Sequence, residues 1–343
     1  MHTKKSLRKI SILESNCLLK YVKKRYTVKV KFTLYYCMNH LAFYWLPQNK
    51  DLLIKGIESE FSQLIEHSIA SKKISLPPIP DVVLKIQRLC TQDTTTVADV
   101  ADSLLEDPGL AAIVIRVANS VIFNRRNITC TDLVTAVSRL GILRVRDIVT
   151  AQAIEQLKHS VNLSGSCNKI LVQSAMNSRE LAATMVLVAR GFRESGSRSY
   201  AHLESDKALL TGLLADIGLF CIVNEYHHYL ENGNYLNEDI AFQIFDNQCS
   251  NASKLVLESW GFDEDFLEVA SNHAIKASEK AVSYLDLARI ANHILMFRRQ
   301  DENIDEHTVE FDVTGADILY KLSNLSDIEF NAQIDELISA SGL

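Results

Sequence analysis

The stretch that decides the fold is residues 207–223, which read KALLTGLLADIGLFCIV and hold one charged residue after Lys207, namely Asp216. Apolar residues cover nearly every helical face of this stretch. Such a pattern is typical of a helix buried at the centre of a protein. The sequence therefore predicts a single central helix over 207–223, with the motif GLLADIG and its one charged residue, Asp216, in the middle.

The composition of the rest of the chain also favours helices. Apolar residues make up 47% of the 343 residues, which is enough to bury a sizeable core and argues against a disordered protein. There are 12 Gly and 5 Pro, and the last of these is Pro108. A long stretch without Pro argues against a turn-rich β sandwich. We expect an all-α fold, a multi-helix bundle with helical N- and C-terminal extensions.

Cysteine usage indicates a reducing compartment. The chain contains 7 Cys, an odd number, and no CxxC pair. A zinc ribbon, a thioredoxin-like motif and a secreted disulfide framework are therefore disfavoured. Phosphate-binding loops, a GxSxG elbow and an HExxH motif are also absent from the sequence. We expect a cytoplasmic protein without a cofactor.

The first residues carry most of the basic charge. Residues 1–37 hold ten Lys and Arg against Glu14, whereas the whole chain has a net charge of -6. A basic arm on an acidic body suggests binding to nucleic acid or to a membrane surface. The alternative is that Met38 is the true start. The apolar run Phe32–Leu46 has 15 residues, too few to span a bilayer, so no integral membrane segment is predicted.

Apolar periodicity and capping residues place the other helices. Thr94, Thr95 and Thr96 are candidate N-caps, Gly141 is a candidate C-cap, and Ser326 with Glu329 forms an S-x-x-E capping box. Residues 191–201 are glycine- and serine-rich and predict a loop. Helices are expected at about 50–71, 81–90, 97–105, 110–120, 133–140, 142–157, 170–188, 238–246, 251–260, 264–273, 281–298 and 327–340.

Several short motifs follow one another and carry a resemblance to a known family. They read LPPIP at 76–80, EDPGL at 106–110, RVANS at 116–120 and AVSRLG at 136–141, before GLLADIG at 212–218. Together they resemble the HDOD domain, a relative of the HD metal-dependent phosphohydrolases that occurs in bacterial signalling proteins. The resemblance runs over 74–273. It implies structural roles for Pro77, Pro78, Pro80, Asp107, Pro108, Asn119, Ser120, Gly141, Gly212, Gly218 and Trp260.

The same resemblance divides the chain into four parts. Residues 1–49 form the N-terminal arm, and 50–73 form a lead-in helix whose apolar face at 52–65 could mediate self-association. The HDOD domain covers 74–273, and a helical extension covers 274–343.

In the HD phosphohydrolases an adjacent His and Asp, with further His and Asp residues, hold the metal. Here the His of that pair is replaced by Ala215, which cannot bind a metal, while Asp216 is kept. The positions that correspond to the metal site are Gln173, Ala215, Asp216, Cys249, Asn272, His273 and Asn292. Two potential ligands, Asp216 and His273, rarely hold a catalytic ion. We therefore expect no catalytic residue and no metal, with Asp216 in structural hydrogen bonds.

Three functions remain open from the sequence. The resemblance favours a non-enzymatic signalling module that acts as a scaffold or output domain through protein partners, with room for a small ligand in the old pocket. The second is a degenerate metal-dependent phosphohydrolase acting on nucleotides or cyclic dinucleotides. The third is a nucleic-acid-associated regulator, which would rest on the basic arm and on Arg125-Arg126. It is disfavoured because residues 94–160 carry balanced charge.

Overall fold

The all-helical prediction is confirmed. A computed structural model describes residues 59–124, 128–160, 163, 165–275, 282–301, 304 and 312–341, and over these ranges it contains helices and no strand. The predictions for the N-terminal arm, for Met38, for the first part of the helix at 50–71 and for Arg125-Arg126 lie outside the described residues.

The helices follow one another along the described part of the chain. Their bounds are α1 Glu60–Ala70, α2 Asp81–Cys90, α3 Val97–Leu104, α4 Pro108–Ala118, α5 Leu133–Leu140, α6 Ile142–Ser160, α7 Gly165–Glu194, α8 Ser205–Leu214, α9 Gly218–Glu231, α10 Glu238–Ser259, α11 Glu264–Ser271, α12 Tyr284–Arg298, α13 Val313–Ser323 and α14 Asp327–Ser341. A short 3-10 helix, Arg198–Tyr200, precedes α8.

Capping residues begin and end these helices where the sequence predicts. Thr96 and Asp99 form a reciprocal capping box at the start of α3. At the start of α14 the Ser326 N–H donates to Glu329 Oε2 at 3.0 Å, and the Glu329 N–H donates to Ser326 Oγ at 3.2 Å. Gly141 ends α5 with a φ of 85°, a value that side-chain-bearing residues rarely adopt. These local signals can be read from sequence because both partners lie within four residues.

Most helices surround a first hydrophobic core. It includes buried residues of α2 to α6, the first half of α7, and α9 to α11. Helix α1 adds Phe61, whose ring packs against Tyr226 and Tyr229 with centroid distances of 5.6 and 5.2 Å. Phe61 and Ile65 are fully buried, so this part of the face predicted for self-association packs within the chain.

A second hydrophobic core lies along the C-terminal half of α7. That helix is 30 residues long, and its buried residues from Leu181 to Phe192 face α8, α12, α13 and α14. Arg298 on α12 lies 4.2 Å above the ring of Phe330 and bonds Asp327, which fixes the start of α14. Helix α7 therefore connects the two cores.

The prediction of one continuous helix over 207–223 is wrong. Helix α8 ends at Leu214 and α9 begins at Gly218, with a tight turn over residues 215–217. Gly218 lies against α10 so closely that a Cβ there would be 2.2 Å from the backbone N of Ser253. The chain bends because α9 must meet α10 at this point, a tertiary contact that apolar periodicity does not record. The bend directs Asp216 into the first core.

Two other boundary predictions are also wrong. The helices expected at 238–246 and 251–260 are one helix, α10, because the intervening Gln248 and Cys249 are buried rather than exposed. The loop expected at 191–201 begins only after Glu194. Gly191 stays helical since Ile318 packs on it, 2.9 Å from where a Cβ would lie.

One stretch of the described residues, Ser205–Glu231, is apolar and long enough to cross a membrane by composition alone. It comprises α8, the turn and α9. Within its most apolar window, 83% is buried inside the fold. Core packing accounts for its apolar character.

Candidate functional site

The Asp216 carboxylate is surrounded by side chains from two other helices. Lys158 Nζ on α6 lies 3.0 Å from Asp216 Oδ1, and both side chains are almost fully buried. Ser178 Oγ on α7 donates to the same oxygen at 2.7 Å, and Ser174 Oγ donates to Oδ2 at 2.5 Å. Ser174 and Ser178 are four residues apart, so both face Asp216 from one side of α7. We call these four residues the Asp216 cluster.

The other side of the turn is held by α10. Ser253 Oγ accepts the backbone N–H of Gly218 at 2.9 Å, so an amide at the start of α9 has a partner. Cys249, one turn earlier on α10, lies with its Sγ 4.0 Å from the backbone O of Asp216 and 3.8 Å from Ser253 Oγ. The structure therefore brings Cys249 and Asp216 together, as the predicted positions imply.

Burial alters the acidity of the groups beside the cluster. Burial raises the pKa of the Cys249 thiol, and the neighbouring Asp216 charge adds to that shift. Burial also raises the pKa of Asp246, on α10 one turn before Cys249, from 3.8 to about 7. A thiol with a raised pKa is a poor nucleophile and a poor metal ligand because both roles need the thiolate.

Two predicted site positions lie beside the cluster but point elsewhere. Gln173 is half-buried and its Nε2 donates to Asn177 Oδ1 at 3.0 Å. Its neighbour Ser174 is the residue of that turn which bonds the carboxylate. Ala215 is fully buried and belongs to the second core, on the other side of α8.

The remaining predicted positions have contacts of their own. Asn272 has a φ of 49° at the end of α11, and Arg289 donates to its side-chain oxygen at 2.9 Å. His273 is exposed, whereas the Asp216 carboxylate is buried. Asn292 is buried on α12, where its Nδ2 lies 3.5 Å from Met296 Sδ. Besides Ala215 and Asp216, which belong to the carboxylate-bearing turn, Cys249 of the predicted set contacts this turn.

Residues of the family motifs have clear structural contacts. The Asn119 side chain accepts the N–H of Cys130 at 2.8 Å and donates to its carbonyl at 2.7 Å, which closes the loop after α4. Asp107 caps α4 by accepting from Gly109 and Leu110, with Pro108 at the first turn. Pro80 precedes α2, and Trp260 is buried at the end of α10. Ser120 Oγ is buried without a partner among the described residues.

A catalytic metal of the HD type does not fit the Asp216 cluster. A protonated lysine has no lone pair to offer, and hydroxyls that already donate to the carboxylate are poor replacements for imidazole. A divalent ion on Asp216 would also face the Lys158 ammonium at close range, where like charges repel. Among the described residues, no group of three or more His, Cys, Asp or Glu could hold a metal ion.

The adjacent histidines of α9 give no metal site either. His227 Nε2 and His228 Nδ1 each lie 3.3 Å from a different oxygen of Glu231. A single carboxylate therefore serves both rings from the surface of the helix.

A profile of the HDOD domain matches residues 76–276, more than half of the chain. The chain belongs to the HDOD family. No curated protein matches it.

Several solved structures are similar to this chain. A protein from Shewanella amazonensis SB2B, named as a candidate metal-dependent phosphohydrolase, has a TM-score of 0.63 and 21% identity, over 82% of this chain and 99% of that one. An HDOD domain protein of unknown function from Geobacter sulfurreducens has a TM-score of 0.46 and 20% identity, over 81% and 98% of the two chains. A candidate signal transduction protein from Marinobacter aquaeolei VT8 has a TM-score of 0.42 and 18% identity, over 85% and 63%.

Sequence reasoning missed the partners of Asp216. Lys158, Ser174 and Ser178 belong to no motif, and their pairing with Asp216 joins residues 38 to 58 positions apart in sequence. One signal was present for Lys158. It follows Ile154 by four residues on the buried stripe of α6, where a lysine without an acidic partner would be costly.

Proposed function

We propose that this HDOD protein is a non-enzymatic regulator in bacterial signal transduction, which acts in the cytoplasm as a scaffold or output module through protein partners. The observation that carries the proposal is the Lys158–Asp216 ion pair of 3.0 Å inside the first core. In the HD phosphohydrolases the aspartate serves a metal. Here its charge is neutralised by a side chain of the same chain.

The Asp216 cluster also leaves little chemistry for catalysis. Each carboxylate oxygen accepts a serine hydroxyl, and Lys158 Nζ lies 3.3 Å from Ser178 Oγ. All four side chains are buried, so a substrate would have to displace them to reach the carboxylate. Membership of the HDOD family, whose domains occur in bacterial signalling proteins, supports a regulatory role.

Metal content and hydrolase activity of the full chain test this proposal. We expect substoichiometric Mn, Fe, Ni, Zn and Mg in protein purified without chelator or affinity metal, measured by inductively coupled plasma mass spectrometry. We expect the same content in Asp216→Ala. Nucleotides and cyclic dinucleotides should remain intact with added Mn²⁺ or Mg²⁺.

A stoichiometric metal that is lost in Asp216→Ala would contradict the proposal. It would favour the alternative, a degenerate HD-type phosphohydrolase, as would hydrolysis that disappears in the same variant. Asp102→Ala, at an exposed position of α3, is a suitable control because it removes one carboxylate without touching the core.

A further inference from the structure

The C-terminal helices present an acidic surface. Residues 301–343 contain eleven Asp and Glu and one cation, Lys321, so two thirds of the acidic excess beyond residue 37 lies in the last 43 residues. On the described part of this segment the exposed carboxylates are Asp317, Asp327, Glu329, Asp335 and Glu336.

Local cations neutralise only some of these carboxylates. Lys321 pairs with Asp317 at 2.7 Å and Arg298 with Asp327 at 2.6 Å. Helix α14 contains no Lys or Arg, and Asp335 and Glu336 have no ion-pair partner within the ranges that the structure describes. The outer side of α14 therefore has unbalanced negative charge, which attracts a basic segment.

The C-terminal helices also expose apolar side chains. Val313 and Tyr320 are 76% and 60% exposed on α13, and Ile328 is 84% exposed at the start of α14. Val313, Asp317 and Tyr320 are spaced by four and three residues and share one helical face. A partner for this surface should combine Lys and Arg with apolar residues.

Residues 1–37 of the same chain have that composition. Their ten cations are interleaved with apolar residues, as in LRKISIL at 7–13 and KYVKKRYTVKVKF at 20–32. Between this arm and Ser59 lie twelve residues that extend over about 40 Å and nine residues of the helix predicted from residue 50, which add about 14 Å. A folded unit of this size is about 50 Å across, so a tether of this length can carry the arm to its far side.

We propose that the basic arm, residues 1–37, docks on the acidic outer surface of α13 and α14 of its own chain. A tethered segment is present at a high effective concentration, so weak ion pairs suffice for binding. Occupying this surface would also keep the arm from binding other polyanions. The inference is independent of whether the Asp216 cluster is catalytic.

Cysteine cross-linking tests the docking in the full chain. The arm carries two native thiols, Cys17 and Cys37, whereas Cys130, Cys167, Cys221 and Cys249 are buried and Cys90 is half-buried. Ser339→Cys places a thiol on the exposed side of α14. A short bis-maleimide should join it to Cys17 or Cys37, as identified by peptide mass spectrometry. Asn251→Cys, exposed on α10, is the matched control and should react several-fold less.

Salt and charge reversal complete the test. In about 0.5 M NaCl the cross-link should fall several-fold because exposed charges are screened. The double variant Asp335→Lys with Glu336→Lys should reduce the cross-link yield by a similar factor. The double variant Asp102→Lys with Glu258→Lys changes the net charge by the same amount and should leave the yield unchanged.

Three outcomes would overturn the proposal. The first is equal cross-linking at residues 339 and 251. The second is a cross-link that neither salt nor charge reversal changes. The third is a cross-link found only between ¹⁴N- and ¹⁵N-labelled copies in a mixture, which would assign the surface to a second chain. If cross-linking stays at the background level and the arm binds duplex DNA or anionic vesicles tightly, the arm is assigned to a polyanion instead.

Discussion

Lys158 Nζ and Asp216 Oδ1 form a 3.0 Å ion pair between α6 and the turn that separates α8 from α9. Because both groups are removed from water, their mutual attraction offsets a large desolvation penalty. The pair holds the GLLADIG turn to α6, while Ser174 and Ser178 hold it to α7. A segment that serves metal chemistry in HD phosphohydrolases is here a junction within the core.

Removing the lysine should destabilise the protein strongly. Lys158→Met leaves the Asp216 charge buried without a cation, and such changes cost about 3–5 kcal/mol. The free energy of unfolding from urea denaturation measures the loss. Lys169→Met, at an exposed position of α7, is the matched control and should change stability by about 0.5 kcal/mol or less.

A double substitution separates the ion pair from simple packing. Lys158→Met with Asp216→Asn should lose less stability than the sum of the two single variants, because neither charge is then left alone. Additive losses would mean that the two side chains contribute independently, and the assignment of Lys158 as the replacement cation would not stand.

The contact between α9 and α10 should tolerate no side chain at Gly218. A Cβ there would lie 2.2 Å from the N of Ser253 and 2.5 Å from the C of Ala252, both backbone atoms that cannot rotate away. We expect Gly218→Ala to cost about 1–3 kcal/mol or more. Gly165→Ala, where nothing lies within 4 Å of the new Cβ, should be close to neutral. Equal melting temperatures for the two variants would show that α9 and α10 are not this close.

Local elements could be read from the sequence, and the Asp216 cluster could not. Ser326 and Glu329 are three residues apart, so their spacing alone predicts that cap. The sequence offers Thr94, Thr95 and Thr96 equally as the other cap, and the structure selects Thr96, which pairs with Asp99. The break before Gly218 depends on Ser253, 35 residues later in the chain. Periodicity records which face of a helix is buried but not what lies opposite it, so Asp216 could be predicted as buried while Lys158 could not be assigned to it.

The loop after α4 should depend on the side chain of Asn119. Both backbone groups of Cys130 bond this amide, and Arg139 Nη1 also lies 3.3 Å from its oxygen. Asn119→Ala should cost about 1–3 kcal/mol because partly buried groups lose their partners. Asn124 pairs with Ile128 in the same way, but these bonds are exposed to solvent, so Asn124→Ala should cost clearly less. Comparable urea midpoints would indicate that burial of the Asn119 bonds adds nothing.

The last prediction concerns pH, and it rests on Asp246. Burial raises the pKa of this carboxyl from 3.8 to about 7, so the folded chain binds its proton more tightly than the unfolded chain does. The stabilisation that this group contributes is fully present below pH 3.8, and it is lost as pH rises through about 7. Asp246→Asn cannot ionise and should therefore gain stability relative to the native chain as pH increases from 5 to 8. Thermal unfolding at several pH values measures the difference, with Glu258→Gln, an exposed position on the same helix, as control. If the melting temperatures of Asp246→Asn and the native chain differ by the same amount at every pH, the carboxyl does not titrate in this range.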